Sequence, residues 1–192
     1  MPSLSTFSCL LRRTSRALSL CLVVGAGLLS AYLIGPSKLP FSVQRIKDVS
    51  GSRPLDVMFA YSANEGAAAL DALGTAGRRH YWYFLVADAG FLVIYTLALA
   101  SLLFALFGRG RWALAVASVP AVAGLFDALE DAGEVIALSM VPNSPLVVLW
   151  ATSALGVVKH IAIYGALLLL LPVGLVLALL RFIKRRGNDG AP

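Results

Sequence analysis

From Tyr81 to Phe107 the chain carries a single charged residue, Asp88. A block of that length and polarity matches the hydrocarbon core of a bilayer, which about 20 apolar residues cross as a helix. Lipid offers no hydrogen bonds, so such a block must satisfy its own backbone, and an α-helix does so within one segment. Three more apolar blocks run over Ala17–Gly35, Trp112–Val141 and Leu146–Phe182. The last is too long for one simple crossing, and its span is placed at about 155–182. Charged residues make up 14% of the chain, against about 25% in soluble domains. The expected fold is therefore all-α: a four-helix transmembrane bundle, one integral membrane domain over residues 1–192, with spans at about 17–35, 81–107, 112–141 and 155–182.

The net charge of +6 has a membrane reading rather than a nucleic-acid one. Arg12, Arg13 and Arg16 precede the first block, and Arg181, Lys184, Arg185 and Arg186 follow the last. Basic residues beside apolar spans set orientation and touch anionic headgroups. Nine lie in the two tails and the 109–111 turn, against six in 36–79. This asymmetry predicts an inner-membrane protein with both termini in the cytoplasm. The basic tail and apolar core of the first block resemble a signal peptide, but Ala31-Tyr32-Leu33 offers no small-x-small cleavage site, so an uncleaved anchor is expected. Cys9 and Cys21 are poorly placed for a disulfide or a metal and read as inert thiols.

The segment 36–79 is broken early by Pro36, Pro40, Gly51 and Pro54. Ser62-Ala63-Asn64-Glu65 then fits a capping box, which predicts a short helix over about 63–73 that ends at Gly74. Apolar on part of its surface, it is expected to form a small helical extracytoplasmic cap over the ends of the spans. His80-Tyr81-Trp82-Tyr83-Phe84 reads as an interfacial aromatic belt.

Ionisable residues inside the apolar blocks carry the functional information: Asp88, Asp127, Glu130, Asp131, Glu134, Lys159 and His160. Such side chains are costly in lipid and turn toward a partner, a cavity or water. Asp127, Glu130, Asp131 and Glu134 stand at i, i+3, i+4 and i+7, on one stripe of a helix. Ala113, Ala117, Ala121, Ala128 and Ala132 fall nearby and suggest a close-packing seam. Counted from basic residues at the cytoplasmic ends, at about 1.5 Å per residue, Asp131, Lys159 and Asp88 all lie roughly 30 Å in, near the outer leaflet's edge. Charges from three helices then share a layer, where Lys159 is expected to pair with Asp131 or Glu134 and Asp88 to lie close by. Ionised together the acids outnumber the lysine, so some must be protonated, solvated or neutralised by a cation.

Three readings of the stripe stay open: a water-exposed face, a structural ion network, or a site for protons, cations or a substrate. Carboxylates at i, i+4 can share a hard cation, yet no cysteine set or His–Glu pair accompanies them, so no cofactor is expected and metal binding is undecided. Lys159 and His160 point about 100° apart on a helix and do not make a catalytic pair; His160 reads as interfacial. Tyr95 reads as a packing residue, and Pro172 as a kink.

Asp88, Phe91 and Tyr95, then Phe126-Asp127-x-x-Glu130, Pro142 and Lys159, spread over about 55–180, resemble an uncharacterised family of small four-span bacterial integral membrane proteins. That family often carries an amide after the glutamate, where this chain has Asp131. The resemblance implies the four-span topology and groups Asp88, Asp127, Glu130 and Lys159; the family has no established activity to carry over. The functional expectation is a structural or accessory membrane protein rather than an enzyme. The alternatives are a small proton- or cation-coupled transporter and a membrane-embedded enzyme acting on lipid headgroups. Beyond the bilayer no partner is identified, and the oligomeric state is open.

Overall fold

The structure is a computed structural model and describes residues 21, 23–35, 38–108 and 111–189. Arg12, Arg13, Arg16, Cys9, Pro36 and Arg109 lie outside the described residues. Within them every regular element is helical: α1 (Val23–Leu33), α2 (Val43–Ser50), a 3-10 turn (Leu55–Val57), α3 (Ala63–Ala72), α4 (Gly74–Phe107), α5 (Arg111–Ser139), α6 (Leu146–Gly165), a π turn (Ala166–Leu170) and α7 (Leu171–Asp189). Three helical stretches are long and apolar enough to cross a membrane: Gly74–Phe107, Arg111–Ser139 and Leu146–Lys184. Their outward faces carry large apolar side chains such as Val86, Leu114, Val147 and Leu168, each more than half exposed.

The segment before α4 is more ordered than its prolines suggest. α2 forms between Pro40 and Gly51 because both of its ends are capped. Ser42 Oγ accepts from the Arg45 N–H at 3.2 Å, and Gly51, at φ 72°, donates back to Lys47, a conformation that glycine adopts without strain. The Ser62 capping box opens α3: Ser62 Oγ accepts from Glu65 N–H, and Glu65 Oε2 accepts from Ser62 N–H at 2.8 Å. These bonds from Ser62 hold the Glu65 carboxyl below its ordinary range.

α2 packs on α4, and α3 on α6. An apolar core forms where these short elements meet the long helices. It holds Leu33, Ile46, Leu55, Leu70, Leu73, Tyr81, Phe84, Ala137 and Leu149. Tyr81 and Phe84 are therefore core residues rather than part of an aromatic belt, and His80 is buried against the Pro40 carbonyl at 2.8 Å. Helical periodicity turns 80, 81 and 84 inward and leaves Trp82 and Tyr83 outside.

The alanine seam expected on α5 is not the packing face. Ala121, Ala128 and Ala132 are exposed, while Ala113, Pro120, Ala123, Gly124, Asp127, Glu130, Glu134 and Ala137 are buried. Acids of the stripe themselves face the neighbouring helices, and Gly156 of α6 makes room for Glu130. At the far end of α6 the π turn places the Leu171 N–H on the Ala166 carbonyl. It comes immediately before Pro172, which has no N–H to give, so the ladder widens there where a kink was expected at Pro172 itself.

Candidate functional site

Gly133, Glu130 and Asp127 of α5 lie respectively against Thr152, Gly156 and Lys159 of α6. Numbers fall along one helix as they rise along the other, so the pair is antiparallel and its register is fixed by two glycines. A Cβ on Gly133 would strike the Thr152 hydroxyl, and one on Gly156 would strike the Glu130 carboxyl. α4 meets α5 in the same sense, Thr96 beside Gly124 and Tyr95 beside Asp127.

This register decides the ion pairs. Lys159 Nζ contacts Asp56 Oδ1, lies 2.9 Å from Asp127 Oδ1 and 2.6 Å from Glu130 Oε2. Of the three, the Asp56 contact has hydrogen-bond geometry. The expected partners, Asp131 and Glu134, are not the observed ones. Glu134 stands level with Thr152, nearly two turns from Lys159, whereas Asp127 stands level with it. Counting residues from the helix ends missed this, because rise per residue gives height only to within a turn or two. The contact that sets the register is glycine against side chain.

Asp56 comes from the 3-10 turn, outside every apolar block, and sequence reasoning passed over it. Its signal was the run Leu55–Tyr61, in which it is the one charged residue. Tyr81 holds the turn in place. The Leu55 N–H donates to the Tyr81 hydroxyl at 2.8 Å, and that hydroxyl donates to Glu134 Oε2 at 2.6 Å. A further tie runs from the Tyr61 N–H to Ser153 Oγ at 3.0 Å. Burial, followed by the charges of Glu134, Glu130 and Asp56, pushes the Tyr61 hydroxyl well above its ordinary range, so it stays protonated. Tyr95, expected to be a packing residue, donates to Asp127 Oδ2 at 2.7 Å while its ring packs on Phe91.

The structure thus gathers Asp56, Asp88, Asp127, Glu130, Asp131 and Glu134 around one lysine. Oxygens of Asp56, Asp88, Asp127 and Asp131 lie within 4.8 Å of one another, as do oxygens of Asp56, Glu130 and Glu134. Asp127, Glu130 and Glu134 are buried and Asp131 is half-buried, so the stripe is not a water-exposed face. His160 stands apart. Its Nδ1 meets the Gly156 carbonyl at 2.8 Å, and its ring packs between Phe59 and Tyr164.

Six clustered carboxylates, three of them on one ammonium, carry a large formal negative excess in a largely buried place. Isolated charge is expensive in such a place, so the cluster calls for protons or another cation as company. Comparison of the chain with known protein families, with curated protein sequences and with solved structures finds no match.

Proposed function

We propose that this chain is a multi-pass membrane protein that takes up and releases cations, protons included, at the carboxylate cluster between α4, α5 and α6. One observation carries the reading. Asp56, Asp88, Asp127, Glu130, Asp131 and Glu134 cluster around Lys159, which contacts Asp56, Asp127 and Glu130 and is the one basic side chain paired with any of the six among the described residues. A brace whose sole task is to hold helices together is served by balanced pairs, whereas an excess of acids suits a site that exchanges counter-charge. The experiment is flux. Purified protein in liposomes is expected to dissipate an imposed pH or cation gradient, and Asp131→Asn to abolish that flux while the protein still purifies as a folded species. Flux at the level of empty liposomes, or an unchanged rate in Asp131→Asn, removes the exchange function.

A structural or accessory role is the second reading, favoured by one feature. Lys159 ties the 3-10 turn, α5 and α6 together through three acids. It predicts no flux and a loss of assembly when the tie is cut.

The membrane arrangement is part of the proposal. The block that includes α1 is the first span, giving four in all. Both termini lie in the cytoplasm of an inner membrane, where the basic tails meet anionic headgroups, and α2, α3 and the 3-10 turn cap the extracytoplasmic end over the cluster. Supporting this, Arg181 donates to the Leu106 carbonyl at the end of α4, which gathers Lys184, Arg186 and Arg111 near one end of the bundle. A cysteine introduced at Ser144 is expected to react with an impermeant maleimide from the periplasmic side, and one at Asn188 not to. The reverse pattern inverts the topology.

A further inference from the structure

The chemistry of the cluster narrows the cation. Its acceptors are carboxylate oxygens throughout, with no sulfur or imidazole in either group. Oxygen-only sites favour hard ions such as Mg²⁺, Mn²⁺ and Ca²⁺ over zinc or copper. Spacing agrees. Oxygens on opposite sides of a hard divalent ion bound at about 2.3–2.6 Å stand about 4.6–5.2 Å apart. Those of Asp56, Asp88, Asp127 and Asp131 all fall within 4.8 Å of one another, close enough for one such ion to be shared among them.

A separate observation points to a ligand. Asp88 is on α4, a different helix from the acidic stripe, and is 5% exposed. It makes no hydrogen bond or ion pair among the described residues: Lys159 turns to Asp56, Asp127 and Glu130, and Tyr95 to Asp127. A buried carboxylate is ordinarily given a partner by the fold, and this one is aimed at three other carboxylates instead. Glu130 Oε1, Glu134 Oε1 and Asp131 Oδ1 are buried with no donor.

From these observations we infer that Asp56, Asp88, Asp127 and Asp131 form a binding site for one hard divalent cation. Asp56 also reaches toward Glu130 and Glu134, and Lys159 flanks the ion on the Asp56–Asp127 side. Asp56 belongs to both oxygen groups, so a movement of the 3-10 turn would change both together. The inference rests on the cation-exchange reading above and specifies its ion.

Equilibrium binding tests it without any assay of flux. Full-length protein in detergent, stripped with chelator, is titrated with MnCl₂ near neutral pH, with free Mn²⁺ followed by electron paramagnetic resonance. Saturable uptake of about one Mn²⁺ per chain is expected, displaced by Mg²⁺ or Ca²⁺, in the range of roughly 10⁻⁶–10⁻³ M typical of moderate carboxylate sites. Asp88→Asn leaves the contacts of Lys159 intact and is expected to fold, as is Asp131→Asn. Each should weaken binding about tenfold or more, the scale seen when support for a metal site is lost. Absence of saturable Mn²⁺ uptake, or wild-type affinity in both variants, overturns the site. Mn²⁺ uptake absent with proton flux intact discards the metal and keeps exchange, whereas stoichiometric Mn²⁺ without flux keeps the site and discards transport.

Discussion

Lys159→Met is expected to lower the thermal midpoint by roughly 6–20 °C. That range corresponds to a loss of about 3–5 kcal/mol, the usual cost of removing one member of a buried ion cluster, at about 2–4 °C per kcal/mol for a chain of this size. Three carboxylates lose their one ammonium, and Lys159 is only 4% exposed, so water does not readily take its place. Part of the loss is expected to return in the double variant Lys159→Met with Asp127→Asn, with a coupling of about 0.5–3 kcal/mol between the two sites. Additive effects in that cycle, or a midpoint within about 2 °C of wild type for the single variant, would show that the lysine does not hold the cluster together. Scans should be run in chelator and repeated in excess Mg²⁺, because a bound cation replaces some of the missing positive charge.

Tyr81→Phe is the second large effect. The change removes one oxygen and nothing else, yet it strands two buried groups: the Leu55 N–H that donates to it and the Glu134 oxygen that accepts from it. Unsatisfied buried polar groups cost about 1–3 kcal/mol each, so a loss of roughly 2–6 kcal/mol is expected by denaturation in detergent. Tyr95→Phe strands a single acceptor, Asp127 Oδ2, and should cost about half as much. Amide exchange separates a local consequence from a general one. Protection of the Leu55 amide should collapse in Tyr81→Phe and persist in Tyr95→Phe. If Tyr95→Phe proves the more damaging of the two, Tyr81 is not the support of the 3-10 turn.

Much of this site was visible in the residues alone, and the parts that were not share a cause. Spacing of 127, 130, 131 and 134 fixes a common face on any helix, and the cost of charge in lipid turns that face toward other protein. Those arguments are local and need no partner. Which acid meets Lys159 depends on how two helices slide past each other. Here that is set by contacts between Gly133 and Thr152 and between Gly156 and Glu130, residues whose pairing leaves no periodic trace. The alanine seam failed for the same reason. Small residues permit close approach anywhere on a helix, and where the approach falls is decided by the side chains that must be accommodated, in this case the carboxylates. Asp56 was missed because the apolar run around it, Leu55–Tyr61, is too short to span a membrane, and outside a span a charge is unremarkable until the fold buries it. α2 went unforeseen because a helix of eight residues depends on its caps more than on its interior.

Because Asp56 reaches Lys159 from a turn rather than from one of the long apolar helices, residues 54–61 are part of the charged cluster itself and not a mere connection between helices. Trading that stretch for a neutral linker of equal length would withdraw one of the cluster's anions and the backbone that carries it in a single step. Sequence drift there is consequently chained to drift at position 159, and a relative in which one has changed charge should show the other changed as well.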